Sequence, residues 1–260
     1  MNFQDKLDSI TTKNNSLVCV GLDPDPENLK GAKDQFEFNK KIINQTSNYV
    51  CAYKLQYAFH AARGLKGLED LKKTIDYLKK NYFEIPVILD AKRGDVENTS
   101  QMYVKEAYDF FGADAVTVNP YLGLDSLIPF LERKEKGTII LVRTSNLGAN
   151  TFQDLKVGKD PLYLKVAEEI VKWQSRYPNL LMVVGATWPA EINRIRKIAK
   201  NITFLVPGIG AQGGDLKKTL KYGLKKNGRG LIIAAARSII YANDPKIACQ
   251  KLRDEINKYR

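Results

Sequence analysis

Ile85-Pro86-Val87-Ile88-Leu89-Asp90-Ala91-Lys92-Arg93-Gly94-Asp95 runs from an uninterrupted apolar segment straight into four charged residues within six positions. A buried parallel strand has this form where it emerges at the rim of its sheet. Side chains alternate along a strand, so Asp90 and Lys92 face the same way, about 6 to 7 Å apart along the chain, while Ala91 faces the other side. The two charges can meet one small ligand. Gly94 permits a sharp exit, and Asp95 follows on the turn, close enough to join the row or to reach a neighbouring subunit. A solvated, salt-bridged turn is the plainer reading of the same residues. What surrounds the stretch favours a site.

Outward from it, the same pattern recurs along the chain. Apolar runs at Leu17 to Asp23, Tyr49 to Gln56, Ala115 to Pro120, Gly137 to Asn146, Leu180 to Thr187, Ile202 to Gly208 and Gly230 to Arg237 each read as a strand. Between and after them lie segments of helical spacing: 36–46, 65–80, 98–111, 124–133, 161–176, 189–199, a helix within 215–226, and 245–259. Eight strands, each followed by a helix, predict an α/β chain closed into a single (β/α)8 barrel over residues 1–260. A doubly wound open sheet is the alternative, but no Gly-x-Gly-x-x-Gly follows the first strand. The longest interruption, Leu147 to Lys159, is a candidate lid.

At 260 residues with 44% apolar composition, the chain has ample material for one large core. It has no apolar run of about 18 residues and opens on a polar segment, Met1 to Lys6, which predicts a soluble, cytoplasmic protein with no membrane partner. Cys19, Cys51 and Cys249 are far apart and odd in number, fitting reduced, packed thiols rather than disulfides or a zinc site. His60, the single histidine, excludes multi-histidine metal sites and reads as a packed residue. The net charge of +12 is spread over helical lysines without a basic arm, which suits an anionic small substrate better than nucleic acid.

In a barrel, the polar residues at the strand ends converge on one mouth. Here these are Asp23, Lys54, Asp90, Lys92, Asn119, Thr144-Ser145, the loop Gly208-Ile209-Gly210-Ala211-Gln212-Gly213-Gly214, and Arg237. The glycine-dense loop after the seventh strand and Arg237 after the eighth occupy the positions where barrels most often bind phosphate. Backbone N–H groups, the Gln212 amide and a bidentate guanidinium would form that grip.

These residues resemble the orotidine 5'-monophosphate decarboxylase family in its shorter bacterial and archaeal form. The resemblance rests on Gly-Leu-Asp-Pro-Asp-Pro (21–26), Tyr-Lys-Leu-Gln (53–56), Asp-Ala-Lys-Arg-Gly-Asp (90–95), Arg-Thr-Ser-Asn (143–146), Pro-Gly-Ile-Gly-Ala-Gln-Gly-Gly-Asp (207–215) and Ala-Arg-Ser-Ile (236–239), in that order. It implies conversion of orotidine 5'-monophosphate to uridine 5'-monophosphate and CO2, a step of pyrimidine biosynthesis, without metal or organic cofactor. It further implies that Lys92 protonates carbon 6, with Asp90, Lys54 and Asp95 completing an alternating charge row. Asp23 and Lys54 would bind the ribose, Ser145 the pyrimidine edge, and Gln212 and Arg237 the phosphate. Pro207, Gly213 and Ala236 belong to the same substrate-binding set, Ala236 through its backbone although a glycine is common there. Asp95 and Thr99 would enter the partner's site in a homodimer.

Two other readings remain open on the residues alone. One is a different phosphosugar enzyme: an aldolase with Lys54 or Lys92 as Schiff-base lysine, or a magnesium-dependent decarboxylase using Asp23 and Asp90 as ligands. The other is a non-enzymatic phosphate or nucleic-acid binder, drawn only from the charge.

Overall fold

In the computed structural model, which describes residues 1–210 and 213–260, eight parallel strands close into a barrel. In chain order they are β1 (Val18–Gly21), β2 (Ala52–Gln56), β3 (Val87–Arg93), β4 (Ala115–Val118), β5 (Gly137–Arg143), β6 (Leu180–Val184), β7 (Phe204–Val206) and β8 (Leu231–Ala235). Each strand pairs with its sequence neighbours, and β1 closes the ring on β8 through Val18 opposite Ile233 and Val20 opposite Ala235. β1, β4, β6, β7 and β8 are buried along their whole length. The near-continuous apolar runs follow from that burial, since inner and outer strand faces both meet side chains.

Helices cover the outside. Gln35–Thr46, Gly64–Asn81, Leu162–Trp173, Pro189–Ile198 and Pro245–Asn257 each bury an apolar stripe against the strands. Helix Pro245–Asn257 is started by the Asp244 side chain, which accepts the Ile247 N–H. The helix expected over 98–111 is Glu97–Val104 running into a wide π turn, Lys105–Phe110.

Where the sequence predicts only a polar opening segment, a helix precedes the barrel. Phe3–Lys13 is capped by Asn2, whose side chain accepts the Asp5 N–H, and buries Phe3, Leu7 and Ile10. It lies at the N-terminal ends of the strands: Lys6 pairs with Asp114 just before β4 at 2.8 Å, and Gln4 accepts the Thr203 hydroxyl just before β7. The opposite, C-terminal face is left open.

The candidate lid, 147–159, is a chain of short pieces: a 3-10 turn Leu147–Ala149, one helical turn Asn150–Gln153, and the first strand of a small hairpin, Lys156–Val157 paired with Asp160–Pro161. Among the described residues no helix is long and apolar enough to cross a membrane.

Candidate active site

A cavity of about 930 Å³ opens at the C-terminal ends of the strands. Asp23, Lys54, Asp90, Lys92, Ser145, Pro207, Ala236 and Arg237 all line it, although they come from segments up to 214 residues apart in sequence. Its charged residues form a row. Asp23 Oδ2 lies 3.1 Å from Lys54 Nζ, which lies 3.2 Å from Asp90 Oδ2, whose other oxygen is 2.7 Å from Lys92 Nζ. Asp23 stands two residues beyond β1 and is fixed from the side by the Gln56 N–H, donated at 2.6 Å. Gly21 makes room for it: a Cβ there would stand 3.0 Å from Asp23 Oδ2 and 2.7 Å from the Ala236 Cβ.

Asp90 and Lys92 converge, but not by simple alternation. Lys92 has φ +47°, in the left-handed region that costs a non-glycine residue about 1–2 kcal/mol. The strand is bulged at this point, because Leu89 pairs with Val116 but Arg93 with Val118, so four residues of β3 span two of β4. Thr117 in β4 bridges the irregularity. Its hydroxyl accepts the Lys92 N–H at 2.9 Å and donates to Asp90 Oδ1 at 2.8 Å.

Electrostatics hold Asp90 and Lys54, the middle of the row, ionised. Burial alone would raise the Asp90 carboxyl, but Lys54 and then Lys92 outweigh it and keep its pKa down at about 2. Burial would likewise lower Lys54, yet Asp23 and Asp90 hold its ammonium above the ordinary lysine value. Lys92 is the solvent-facing end, with its side chain 45% exposed, so the row presents an ammonium to whatever enters the cavity.

At β5, Arg143 is fully buried and works from behind. It meets Glu191 at 2.9 Å and Asp154 at 3.2 Å and stacks over Trp188 at 4.5 Å. Gln153 accepts the Thr144 N–H, and the Trp188 indole donates to the Thr144 carbonyl. The loop carrying Ser145 is thereby tied to the short helical turn 150–153. Gly185 permits the approach of β6's exit, where a Cβ would come within 2.8 Å of the Ser145 Cα.

After β7, the Gly214 N–H donates to the Gly208 carbonyl, and Gly210 lies beside Ser238. Gly208, Gly210 and Gly213 all take positive φ, which explains the glycine density. Arg237 starts a short helix, Arg237–Ile240, with its side chain exposed at the cavity wall. Gln212 falls outside the described residues.

Asp95, Thr99 and Gly213 are not among the residues that line the cavity. The Asp95 carboxylate accepts the Val96 N–H, and its carbonyl accepts the Ser100 hydroxyl. Asn119 turns away as well: its side chain accepts the Tyr121 N–H, and its N–H donates to the Arg93 carbonyl. His60 is buried with Nδ1 3.2 Å from the Gln56 carbonyl, and burial lowers its pKa. The three cysteines are free and buried, Cys19 pushed up to about 12 by burial. Among the described residues no cluster of three or more His, Cys, Asp or Glu side chains is arranged to hold a metal.

Sequence reasoning missed Thr117, Gln56, Asp25, Asn28 and Tyr241 at the cavity. Only Thr117 carried a signal, as the one polar side chain inside the apolar run Ala115-Val116-Thr117-Val118.

Closed parallel barrel and charged mouth define a (β/α)8-barrel enzyme with its site at the strand C-termini. Comparison with known proteins narrows the class. The family model described as Orotidine 5'-phosphate decarboxylase / HUMPS family matches residues 16–252, and the chain belongs to that family. It is 47% identical over 274 residues to the orotidine 5'-phosphate decarboxylase of Cellvibrio japonicus, with both chains covered in full. The solved structure of Leishmania donovani OMP decarboxylase superposes with a TM-score of 0.91 at 39% identity, covering 100% of this chain and 99% of that one. Leishmania donovani UMP synthase superposes with a TM-score of 0.93 at 40% identity; this chain is covered in full but spans only 56% of that longer protein.

Proposed function

We propose that this chain decarboxylates orotidine 5'-phosphate to uridine 5'-phosphate and CO2. The observation that carries the reading is the Lys92 ammonium held 2.7 Å from Asp90 at the mouth of a barrel whose full-length relatives bear that activity. Cleavage of the bond between carbon 6 and the carboxylate leaves an electron pair in an sp2 orbital that the ring delocalises poorly. Stabilisation must therefore be electrostatic and preorganised. Lys92 supplies the nearest positive charge to that pair and then its proton, becoming a neutral amine that solvent reprotonates. Asp90 faces the departing carboxylate; their repulsion relaxes as CO2 leaves. Lys54, between two carboxylates, keeps the row neutral enough to remain folded.

Asp23 and Lys54 bind the ribose hydroxyls and Ser145 the pyrimidine edge. Arg237, Gln212, Gly213, Pro207 and the Ala236 backbone surround the phosphate. No step passes through a metal or organic cofactor. Support for the phosphate end comes from Gly208 and Arg237 both lining the cavity, with Gly208, Gly210 and Gly213 of the same loop at positive φ.

The dimer belongs to the same proposal. Asp95 and Thr99 lie off their own cavity, on a segment that also exposes Val96 (59%) and Met102 (52%), apolar surface of the kind an interface covers. With three free thiols, the working compartment is the reducing cytoplasm. The test is loss of orotidine 5'-phosphate absorbance with purified protein in the presence and absence of EDTA. Turnover indifferent to the chelator is expected; turnover abolished by it, and restored by a divalent cation, would favour a metal-dependent decarboxylase.

A further inference from the structure

The strained backbone at Lys92 needs support on both sides. Thr117 supplies it on the N-terminal side, through the Lys92 N–H. On the other side is Arg93, where pairing with β4 resumes and whose carbonyl accepts the Asn119 N–H at 2.7 Å. Its side chain leaves the barrel and enters a clamp. Glu106 takes two charge-assisted hydrogen bonds, from Nε at 2.9 Å and from a terminal nitrogen at 2.7 Å. Tyr57 and Tyr103 cover the guanidinium, 4.3 and 4.6 Å from their ring centroids.

A planar cation fixed along one edge and stacked on two rings has little freedom to rotate or slide, which a lysine ammonium in its place would keep. The clamp also joins three segments. Tyr57 directly follows Gln56, whose N–H holds Asp23; Tyr103 sits on helix Glu97–Val104; Glu106 sits on the π turn 105–110, a helix irregularity common near functional sites. Each is thus linked to the residue next to the proton donor.

We infer that Arg93, with Glu106, Tyr57 and Tyr103, is a positioning device that holds Lys92 in its left-handed conformation and so aims its ammonium at the reacting carbon. The inference rests on the assignment of Lys92 as proton donor. None of its four residues lines the cavity or pairs with the charged row, so the device acts on the chemical step and not on ground-state binding.

A comparable cluster provides the control. Arg133 pairs with Asp109 and Glu135 and lies over Tyr108, but its carbonyl accepts from Asn179 just before β6, at the closed end of the barrel. The variants are Arg93→Lys, Glu106→Gln, Tyr103→Leu, Tyr103→Phe and Arg133→Ala. The readings are kcat and KM for orotidine 5'-phosphate, the Kd of uridine 5'-phosphate by calorimetry, and Tm. Arg93→Lys, Glu106→Gln and Tyr103→Leu should lower kcat roughly 10- to 100-fold, the loss expected from about an ångström of misplacement, with KM and the product Kd within about threefold of wild type. Tyr103→Phe, which keeps the ring face, should recover most of kcat, and Arg133→Ala should leave kcat alone whatever it does to Tm.

If Arg93→Lys does not fold, Glu106→Gln and Tyr103→Leu still decide the matter with Arg93 in place. Unchanged kcat in those two, or a product Kd weakened in step with kcat, would overturn the inference; so would an equal kcat loss in Arg133→Ala. Inactive wild type would instead sink the decarboxylase reading itself, so the two failures are told apart.

Discussion

The Thr117 hydroxyl donates to Asp90 Oδ1 at 2.8 Å while accepting the Lys92 N–H at 2.9 Å, so one β-strand side chain fixes both the carboxylate and the backbone of the ammonium it faces. Removing the oxygen while keeping the shape isolates this link. Thr117→Val leaves one amide donor without its partner and one carboxylate contact unmade, a loss of about 1–3 kcal/mol for a buried group. We expect kcat to fall about 10-fold or more, with Thr117→Ser near wild type, by steady-state kinetics. A fully active Thr117→Val enzyme would show that Lys92 is aimed without it.

Asp90 makes stability depend on acid in a defined window. Its folded pKa of about 2 lies below the ordinary 3.8, so its contribution is complete above 3.8 and is lost as pH falls toward 2. The displacement corresponds to roughly 2 kcal/mol, about half of it gone by pH 3. Lys54 runs the other way: raised above 10.5, its contribution is complete below that value and lost only as pH climbs past it. Denaturant unfolding of wild type and Asp90→Asn should therefore give a constant stability difference from pH 5 to 8 that shifts against wild type below pH 4. A difference that stays level down to pH 3 would contradict the charge row.

Much of this was legible in the sequence, for reasons that differ by residue. The eight strands could be read because a parallel barrel buries both faces of each, leaving runs such as Leu231-Ile232-Ile233-Ala234-Ala235 that stop at a charge. Helix Phe3–Lys13 escaped because its three buried apolar residues, Phe3, Leu7 and Ile10, stand among polar neighbours. Asp23, Lys54 and Asp90 could be brought to one mouth by topology alone. The left-handed turn at Lys92 could not, since local alternation already predicted the right pairing for a different backbone reason. Asn119, a polar residue at a strand end, looked like a cavity residue and instead closes the turn beside Gly94. The Arg93 clamp needs Tyr57 and Tyr103, distant in sequence on either side, and a π turn that no spacing rule announces.

The proposed sharing of the site between subunits is motivated by Asp95 lying off its own cavity. Asp95→Asn and Lys92→Ala subunits, each inactive alone, should yield heterodimers with one doubly damaged site and one intact site. Activity should return toward half of wild type per verified heterodimer. Heterodimers as dead as their parents would mean that Asp95 serves its own chain.

The most direct test of the account is turnover by Lys92→Ala alongside its affinity for uridine 5'-phosphate. Lys92 is the exposed end of the row, and its removal leaves Asp23, Lys54 and Asp90 paired. Decarboxylation should fall by many orders of magnitude, since both the cation facing the developing carbanion and its proton are lost, while product binding by calorimetry survives. Undiminished CO2 release by a correctly folded Lys92→Ala protein would contradict the account.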